Sequence, residues 1–399
     1  MKLPDGWRKV LISDAFHIQL GKMLSPNAKI GEQCPYVTNF NVRWGYFHLQ
    51  QVNFMAFSEK EKEKYQLKKG DLLICEGGEI GRCAIWDKDH SGHYYQKSLH
   101  RLRPKNNLIF PPFLYHELRY LCLTRKLLNL VGESSIAHLP KEKLASVQIL
   151  CPSLPEQRRI AELLGTWDEA IEKLERLIEA KEKRLSWIRA NILTGKVRIN
   201  GFSSKWKQII FLEIASRVTR SVGKARVAPV SISAGKGFVL QEEKFGRNIA
   251  GKQYSKYTLL FPEEFTYNKG NSKTYECGCV YQWRGKAPVA VPNVFVSFSL
   301  NVKLADARFI SHFFEADLHA NELRKFINSG VRNDGLLNVT PDCFFKIILS
   351  LPELPEQKAI ANILDTTSQE IDILRAELIM FQKQKRGLMQ KLLTGVWRI

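Results

Sequence analysis

The residues best equipped for chemistry in this sequence are cationic and hydrogen-bonding side chains set among glycines. Ser231-Ile232-Ser233-Ala234-Gly235-Lys236-Gly237 and Gly246-Arg247-Asn248-Ile249-Ala250-Gly251-Lys252 are two such stretches. Glycine lets backbone approach a ligand closely, and Lys, Arg, Ser and Asn suit phosphates and base edges. Polar loops flanking strands supply the candidates Lys22, Asn39, Asn41, Arg43 and Tyr46 in the first half. In the second half the candidates are Lys236, Arg247, Lys252, Lys269, Asn271, Lys273, Arg332 and Asn333. Asn and Arg can pair bidentately with adenine and guanine, whereas Lys more often positions on phosphate. The competing reading of each is a solvated basic surface that contributes only general electrostatics.

Constellations that could catalyse a reaction fail on their details. Phe110-Pro111-Pro112-Phe113 resembles a Pro-Pro-aromatic methyltransferase motif, but Phe110 stands where a side chain must accept a hydrogen bond from a base amino group. Gly77-Gly78-Glu79-Ile80-Gly81 lacks the G-x-G-x-x-G spacing and lies between two strand-like runs, where a nucleotide fingerprint needs a strand and then a helix. Glu356-Gln357-Lys358 could supply half of a nuclease carboxylate site, yet it opens a helix, and Arg158 replaces the lysine in an equivalent segment. The eight cysteines have no zinc-ligand spacing. Cys277-Gly278-Cys279, and Cys83 with His90 and His93, read as strand and loop residues without a metal. No P-loop and no nucleophile-base pair is evident, so the chain reads as a binding subunit with no catalytic residues.

Composition supports a polyanionic partner. Sixty Lys and Arg against 40 Asp and Glu give a formal net charge of +20 over 399 residues, and nucleic acid is the first candidate. A hydrophobic content of 44% is enough for two or more domains. The sequence has no apolar run of about 18 residues and no signal-like start, so no membrane association and a cytoplasmic location with reduced thiols are expected.

The elements that must position these loops announce themselves by repetition. Leu154-Pro155-Glu156-Gln157 returns as Leu354-Pro355-Glu356-Gln357, and Ile160, Ala161, Leu164, Ile171, Leu174, Leu193, Thr194, Gly195, Arg198 and Ile199 recur at the same 200-residue offset. Trp7-Arg8-Lys9-Val10 and Trp206-Lys207-Gln208-Ile209 open the preceding stretches alike. Between these shared ends the halves differ, which predicts one frame carrying two payloads. Ile160, Leu164, Trp167, Ile171, Leu174, Ile178, Lys181, Leu185, Ile188 and Ile192 alternate by four and three, the spacing of a coiled-coil seam. The second seam runs through Ile360, Leu364, Thr367, Ile371, Leu374, Leu378, Phe381, Lys385, Leu388 and Leu392. Lys181 and Lys385 interrupt the two seams at different depths and so can define register. Ser153 with Glu156 suggests a capping box, weakened in the second copy by Glu353, and Gly195 and Gly395 suit left-handed C-terminal caps. Forty helical residues make a rod of about 60 Å. Matched seams in one chain favour an internal antiparallel pair over an intermolecular zipper or ordinary bundle helices.

The remaining sequence reads as α+β. Asp71 to Cys75 and Arg82 to Trp86 predict two strands joined by a tight turn through Glu76 to Gly81. One helical stretch is expected from Pro112 to Leu130 and another from Ala307 to Asn328, while Phe265 to Lys273 is expected to lie between strands.

The whole pattern resembles the specificity subunit of type I restriction-modification systems. The resemblance rests on Pro152 to Ile160 with Pro352 to Ile360, on the long heptad helices ending in Leu-Thr-Gly, on the opening Leu3-Pro4-Asp5-Gly6-Trp7, and on the Ser231 to Gly237 and Tyr267 to Lys273 stretches. It implies two α/β target-recognition domains separated by two long antiparallel coiled-coil helices, with an internal pseudo-twofold repeat. The corresponding boundaries are 1–151 and 200–351 for the domains, and 152–199 and 352–399 for the helices. It also implies a non-catalytic reader of double-stranded DNA, each domain taking one half of a split target and the helices fixing the gap. The implied partners are two methyltransferase subunits, which carry S-adenosylmethionine, and two restriction subunits, which use ATP and Mg. A self-sufficient methyltransferase or nuclease, and a non-specific nucleic-acid-binding adaptor, are the alternatives.

Overall fold

A computed structural model describes residues 3–23, 31–89, 92–131, 138–247, 251–270, 275–327, 337 and 339–399. The chain divides into two compact units, Met1–Arg176 with Ala376–Ile399, and Leu177–Arg375. Two long helices, Leu154–Ile192 and Leu354–Leu393, each contribute one segment to either unit.

In the first unit, strands Phe16–Leu20, Leu99–Pro104, Leu72–Cys75 and Cys83–Ile85 form, in that spatial order, a wholly antiparallel sheet. The expected strand-turn-strand at 71–86 is present, with Leu72 opposite Ile85 and Ile74 opposite Cys83. A three-stranded sheet orders Asn53–Phe57, Glu32–Val37 and Tyr94–Tyr95, the last pair parallel. A third, small sheet pairs Arg8–Leu11 with Gln148–Cys151. The core joins Trp7, Phe16, Phe113, Leu118 and Ile149 to Ile160 and Leu164 of one long helix and to Met389, Leu392 and Leu393 of the other. Burying each such side chain contributes about 1.5–3 kcal/mol, so the helix segments belong to this core and are not struts laid against it.

The second unit repeats the frame with other contents. Lys207–Ile210 pairs with Ile348–Leu351 as Arg8–Leu11 pairs with Gln148–Cys151. One four-stranded sheet orders Ala215–Arg217, Val296–Leu300, Phe265–Asn268 and Cys279–Gln282; the other orders Gly237–Leu240, Ala228–Ser233, Val289–Val291 and Thr258–Leu260. Its core is aromatic: Phe211 lies edge-on to Phe298, Phe314 and Phe344 at centroid distances of 5.1, 5.7 and 5.5 Å.

The recurring Leu-Pro-Glu-Gln motif is explained by two side chains. The Gln157 amide donates to the carbonyls of Leu108 and Pro152 at 3.0 and 3.1 Å and accepts from the Phe110 N–H at 2.8 Å. Gln357 does the same for Leu304, Pro352 and Asp306 at 3.1, 2.9 and 2.8 Å. Each glutamine thus satisfies three backbone groups where a long helix begins beside the start of a domain helix. The Glu156 carboxylate, expected in a capping box, instead holds the Arg398 guanidinium bidentately at 2.6 and 2.8 Å, and Glu356 holds Arg198 at 2.8 and 2.8 Å. Gly395 takes a left-handed φ of 72°, and a Cβ there would lie 2.4 Å from Pro4, so glycine is required for the turn that brings Arg398 to Glu156.

Three expectations about local structure need correction. The stretch from Pro112 is two helices, Pro111–Leu123 and Lys126–Val131, broken where Arg125 has φ 59°. The stretch from Ala307 is likewise Ala307–Glu315 and Ala320–Arg324, broken where Asp317 has φ 54°. Phe265–Asn268 is itself a strand, hydrogen-bonded on both sides and buried at Phe265, Thr266 and Tyr267.

Candidate nucleic-acid interface

In the first unit the loop between Glu32–Val37 and Asn53–Phe57 carries most of the residues singled out by the sequence. Asn41 organises it from inside. Its Oδ1 accepts from the Thr38 N–H at 2.9 Å, and its Nδ2 donates to the His48 and Gln51 carbonyls at 3.0 and 2.8 Å. Asn41 is buried, so this amide shapes the loop and is not free to read a base. Arg43 is half-buried and donates to the Phe40 and Val42 carbonyls at 2.9 and 3.2 Å. Asn39 is half-buried; its N–H donates to Ser98 Oγ, and its carbonyl accepts from Arg82 at 2.7 Å. Tyr46, 53% exposed, and Phe40, 79% exposed, are presented outward. Exposed aromatic faces next to anchored cations suit stacking on bases or sugars. Phe40 was passed over in the sequence, although an aromatic side chain between Asn39 and Asn41 in a polar loop is itself a signal.

Lys22 lies elsewhere and does a different job. It is buried, with its ammonium 2.6 Å from the Ala56 carbonyl, 2.7 Å from Glu61 Oε2 and 4.8 Å from the centre of the Phe57 ring. These contacts staple the strand Asn53–Phe57 to the helix Glu59–Tyr65, and the expectation of a phosphate-binding lysine is corrected accordingly.

In the second unit Lys236 is exposed at the tip of the hairpin joining Ala228–Ser233 to Gly237–Leu240. Gly235 has φ 80°, and its N–H donates to Tyr281 Oη at 2.8 Å, which fixes the tip. Arg247 is exposed just after Gly246, whose φ of 68° ends the short helix Gln241–Phe245. Lys269 is half-buried, and its carbonyl accepts from the Leu337 N–H at 2.9 Å. Lys252 lies in the 3-10 turn Gly251–Lys256. Asn271, Lys273, Arg332 and Asn333 lie outside the described residues.

The proposed helix seam divides between the units. In the first, Ile160, Leu164, Ile171, Leu174 and Leu392 are buried, Leu378 and Leu388 are half-buried, and Trp167 meets Phe381 edge-on at 5.6 Å. In the second, Ile178, Leu185, Ile188, Ile360, Leu364 and Ile371 are buried, and Ile192 and Leu374 are half-buried. Each polar interruption meets a carboxylate on the other helix. Lys181 pairs with Glu370 at 2.5 Å, and the buried Lys385 pairs with Asp168, which also accepts from Arg119 at 2.6 Å. Burial, with Arg119 beside it, pulls the Lys385 ammonium down to about 8 despite Asp168. Within each unit the paired positions run in opposite directions, Glu156 with Arg398 and Asp168 with Lys385 in one, Glu182 with Arg375 and Glu356 with Arg198 in the other.

Cys83 is buried and its thiol is pushed up by burial, His93 packs at a tilt against Trp86 with ring centroids 5.3 Å apart, and His90 lies outside the described residues. Among the described residues, no group of three His, Cys, Asp or Glu could hold a metal, and no helix is long and apolar enough to cross a membrane.

Known proteins supply an independent comparison. Residues 4–182 match the family model described as the type I restriction modification DNA specificity domain. The chain is 22% identical over its whole length to the type I restriction enzyme MjaVIII specificity subunit of Methanocaldococcus jannaschii, covering 95% of that protein. Over 141 residues, 34% of this chain and 35% of the relative, it is 30% identical to a putative type I restriction enzyme specificity subunit, S.HindORF215P, of Haemophilus influenzae. Its fold resembles that of the type I restriction-modification S subunit from M. genitalium, with a TM-score of 0.58 and 16% identity over 98% of both chains. A chain from a structure addressing complex assembly and conformational transition of the type I R-M system gives a TM-score of 0.60 at 13% identity, covering 98% of this chain and 99% of that one. With its duplicated frame and unlike loops, the chain is similar over its whole length to type I restriction-modification specificity subunits.

Proposed function

We propose that this chain is the DNA reader of a type I restriction-modification complex, with each unit recognising one half of a split, asymmetric duplex target. The observation that carries this reading is duplication of the frame without duplication of the contents. The terminal strand pair, the glutamine clamp and the Glu-Arg pair recur, while the loops presenting Phe40 and Tyr46 in one unit and Lys236 and Arg247 in the other share nothing. Two unlike readers on one frame call for two unlike half-sites at a set separation. The net charge of +20 provides the sequence-independent attraction to phosphate on which base readout builds. In this reading, two methyltransferase subunits bring S-adenosylmethionine and two restriction subunits bring ATP- and Mg-dependent cleavage, so the pure chain neither methylates nor cuts DNA.

The paired helices set the gap between half-sites. Seven residues inserted after Arg176 and seven after Arg375 keep both seams in phase and add about 10 Å of helix, roughly three base pairs as an upper bound. The methylated motif should keep both half-sites and gain a longer gap. Full activity with an unchanged gap would refute the ruler, while activity of the pure chain alone would refute the reader.

A further inference from the structure

Beside the hairpin tip of the second unit lies a cleft of about 530 Å³, bounded by the tip, the end of strand Cys279–Gln282 with the loop after it, helix Ala307–Glu315, and Arg189. Its cations are Lys236, Arg284 and Arg189, and its carboxylate is Glu315. That carboxylate is already answered, by Arg189 at 3.1 Å and His312 at 3.5 Å. Burial pushes the Glu315 carboxyl up, but His312, Arg189 and Arg284 outweigh it and hold it below its ordinary value. The ionised Glu315 offsets one of the three cations, which leaves the cleft a positive balance at neutral pH.

Arg284 is the side chain this architecture prepares for contact. Its Nη2 donates to Ser311 Oγ at 3.1 Å and lies 3.7 Å from Glu315 Oε1, yet the side chain remains 57% exposed. Ser311 is buried and itself donates to Glu315 at 3.3 Å, so the anchor is rigid. A guanidinium has five N–H donors in a plane, and anchoring one edge leaves another aimed and unhindered. The loop carrying it is held as well. Trp283 donates from Nε1 to the Ala287 carbonyl at 2.8 Å and packs edge-on to Phe238 at 5.3 Å. A Cβ on Gly285 would sit 2.2 Å from the Trp283 ring, so only glycine lets the loop fold over the indole. Across the cleft the tip is open, with nothing within 4 Å of a Cβ on Gly235, so a ligand backbone can approach there.

We infer that this cleft is the base-reading site of the second unit, with Arg284 as a specificity-determining residue that pairs bidentately with a guanine and Lys236 as its phosphate-positioning neighbour. A pre-anchored planar fork matches guanine O6 and N7, whereas the exposed lysine at the hairpin tip acts as a point charge. The inference rests on the proposed DNA-reading function.

The test is methylation by the full chain reconstituted with its methyltransferase subunits, read as the sequence motif modified. Arg284→Ala should relax a single guanine in one half-site, with about a ten- to a hundredfold loss of discrimination there, and leave the other half-site intact. Arg284→Gln should move that position toward adenine. Lys236→Ala should weaken all duplexes alike and reduce the log-log salt dependence by about one unit. Arg284 is largely exposed, and a melting curve matching wild type checks that the variant folds. Wild-type half-sites retained in both Arg284 variants would overturn the inference alone. Absence of any motif with the wild-type chain would overturn the DNA-reading function beneath it.

Discussion

His116 shows how strongly position governs a single residue in this molecule. It is buried on helix Pro111–Leu123, with Nδ1 3.8 Å from Asp168 and with Arg119 and Lys385 gathered about the same carboxylate. Burial drives the imidazole down to about 3; Asp168 opposes this, and Lys385 and Arg119 reinforce it. The unfolded chain takes up that proton near pH 6.5, so between 6.5 and 3 it binds more protons than the folded chain, and stability falls as pH falls. From pH 7 to 4.5 this one residue should cost on the order of 3 kcal/mol. Denaturant titrations should show His116→Gln losing about that much less than wild type over the same interval. Equal losses in the two proteins would contradict the assignment. Burial also separates Asn41 from Arg247: both are polar loop residues by type, but the first is locked into its loop by three hydrogen bonds to backbone groups, and the second is exposed. Lys22 had the same residue-type credentials as Lys236, and nothing local in the sequence reveals that it meets Glu61 inside the fold.

At the scale of elements, the long helices were legible because a four-three alternation sustained over ten positions has few other physical meanings. The breaks at Arg125 and Asp317 were not legible, since the left-handed conformation there is taken by residues that carry no glycine or proline signal. The strand Phe265–Asn268 was hidden by its brevity and by the polar run after it. The lysine interruptions were legible as register marks, but their partners needed the fold. Asp168→Ala would leave the buried Lys385 ammonium beside Arg119 without its carboxylate and should cost about 3–5 kcal/mol. Lys385→Met leaves Asp168 paired with Arg119 and keeps an unbranched apolar stem in the seam, so it should cost less than Asp168→Ala. Denaturant unfolding of the full chain measures both, and the reverse order would mean that the carboxylate does not hold this crossing.

At the scale of the whole molecule, duplication is what made the fold readable. A motif that returns after 200 residues exposes its own boundaries, and the structure supplies their cause in Gln157, Gln357 and the two Glu-Arg pairs. The candidate surface was readable only as chemistry. Basic, polar and glycine-rich loops could be named, but which side chains point outward depends on distant partners, as Arg284 depends on Ser311 twenty-seven residues away. The central claim is that this chain selects the DNA sequence on which partner subunits act. It is tested most directly by mapping modified bases in DNA from cells that carry this chain with its methyltransferase, against cells in which the chain is deleted. The account predicts a split, asymmetric motif that disappears with the chain. Methylation unchanged by the deletion, with the methyltransferase expressed and folded, would contradict it.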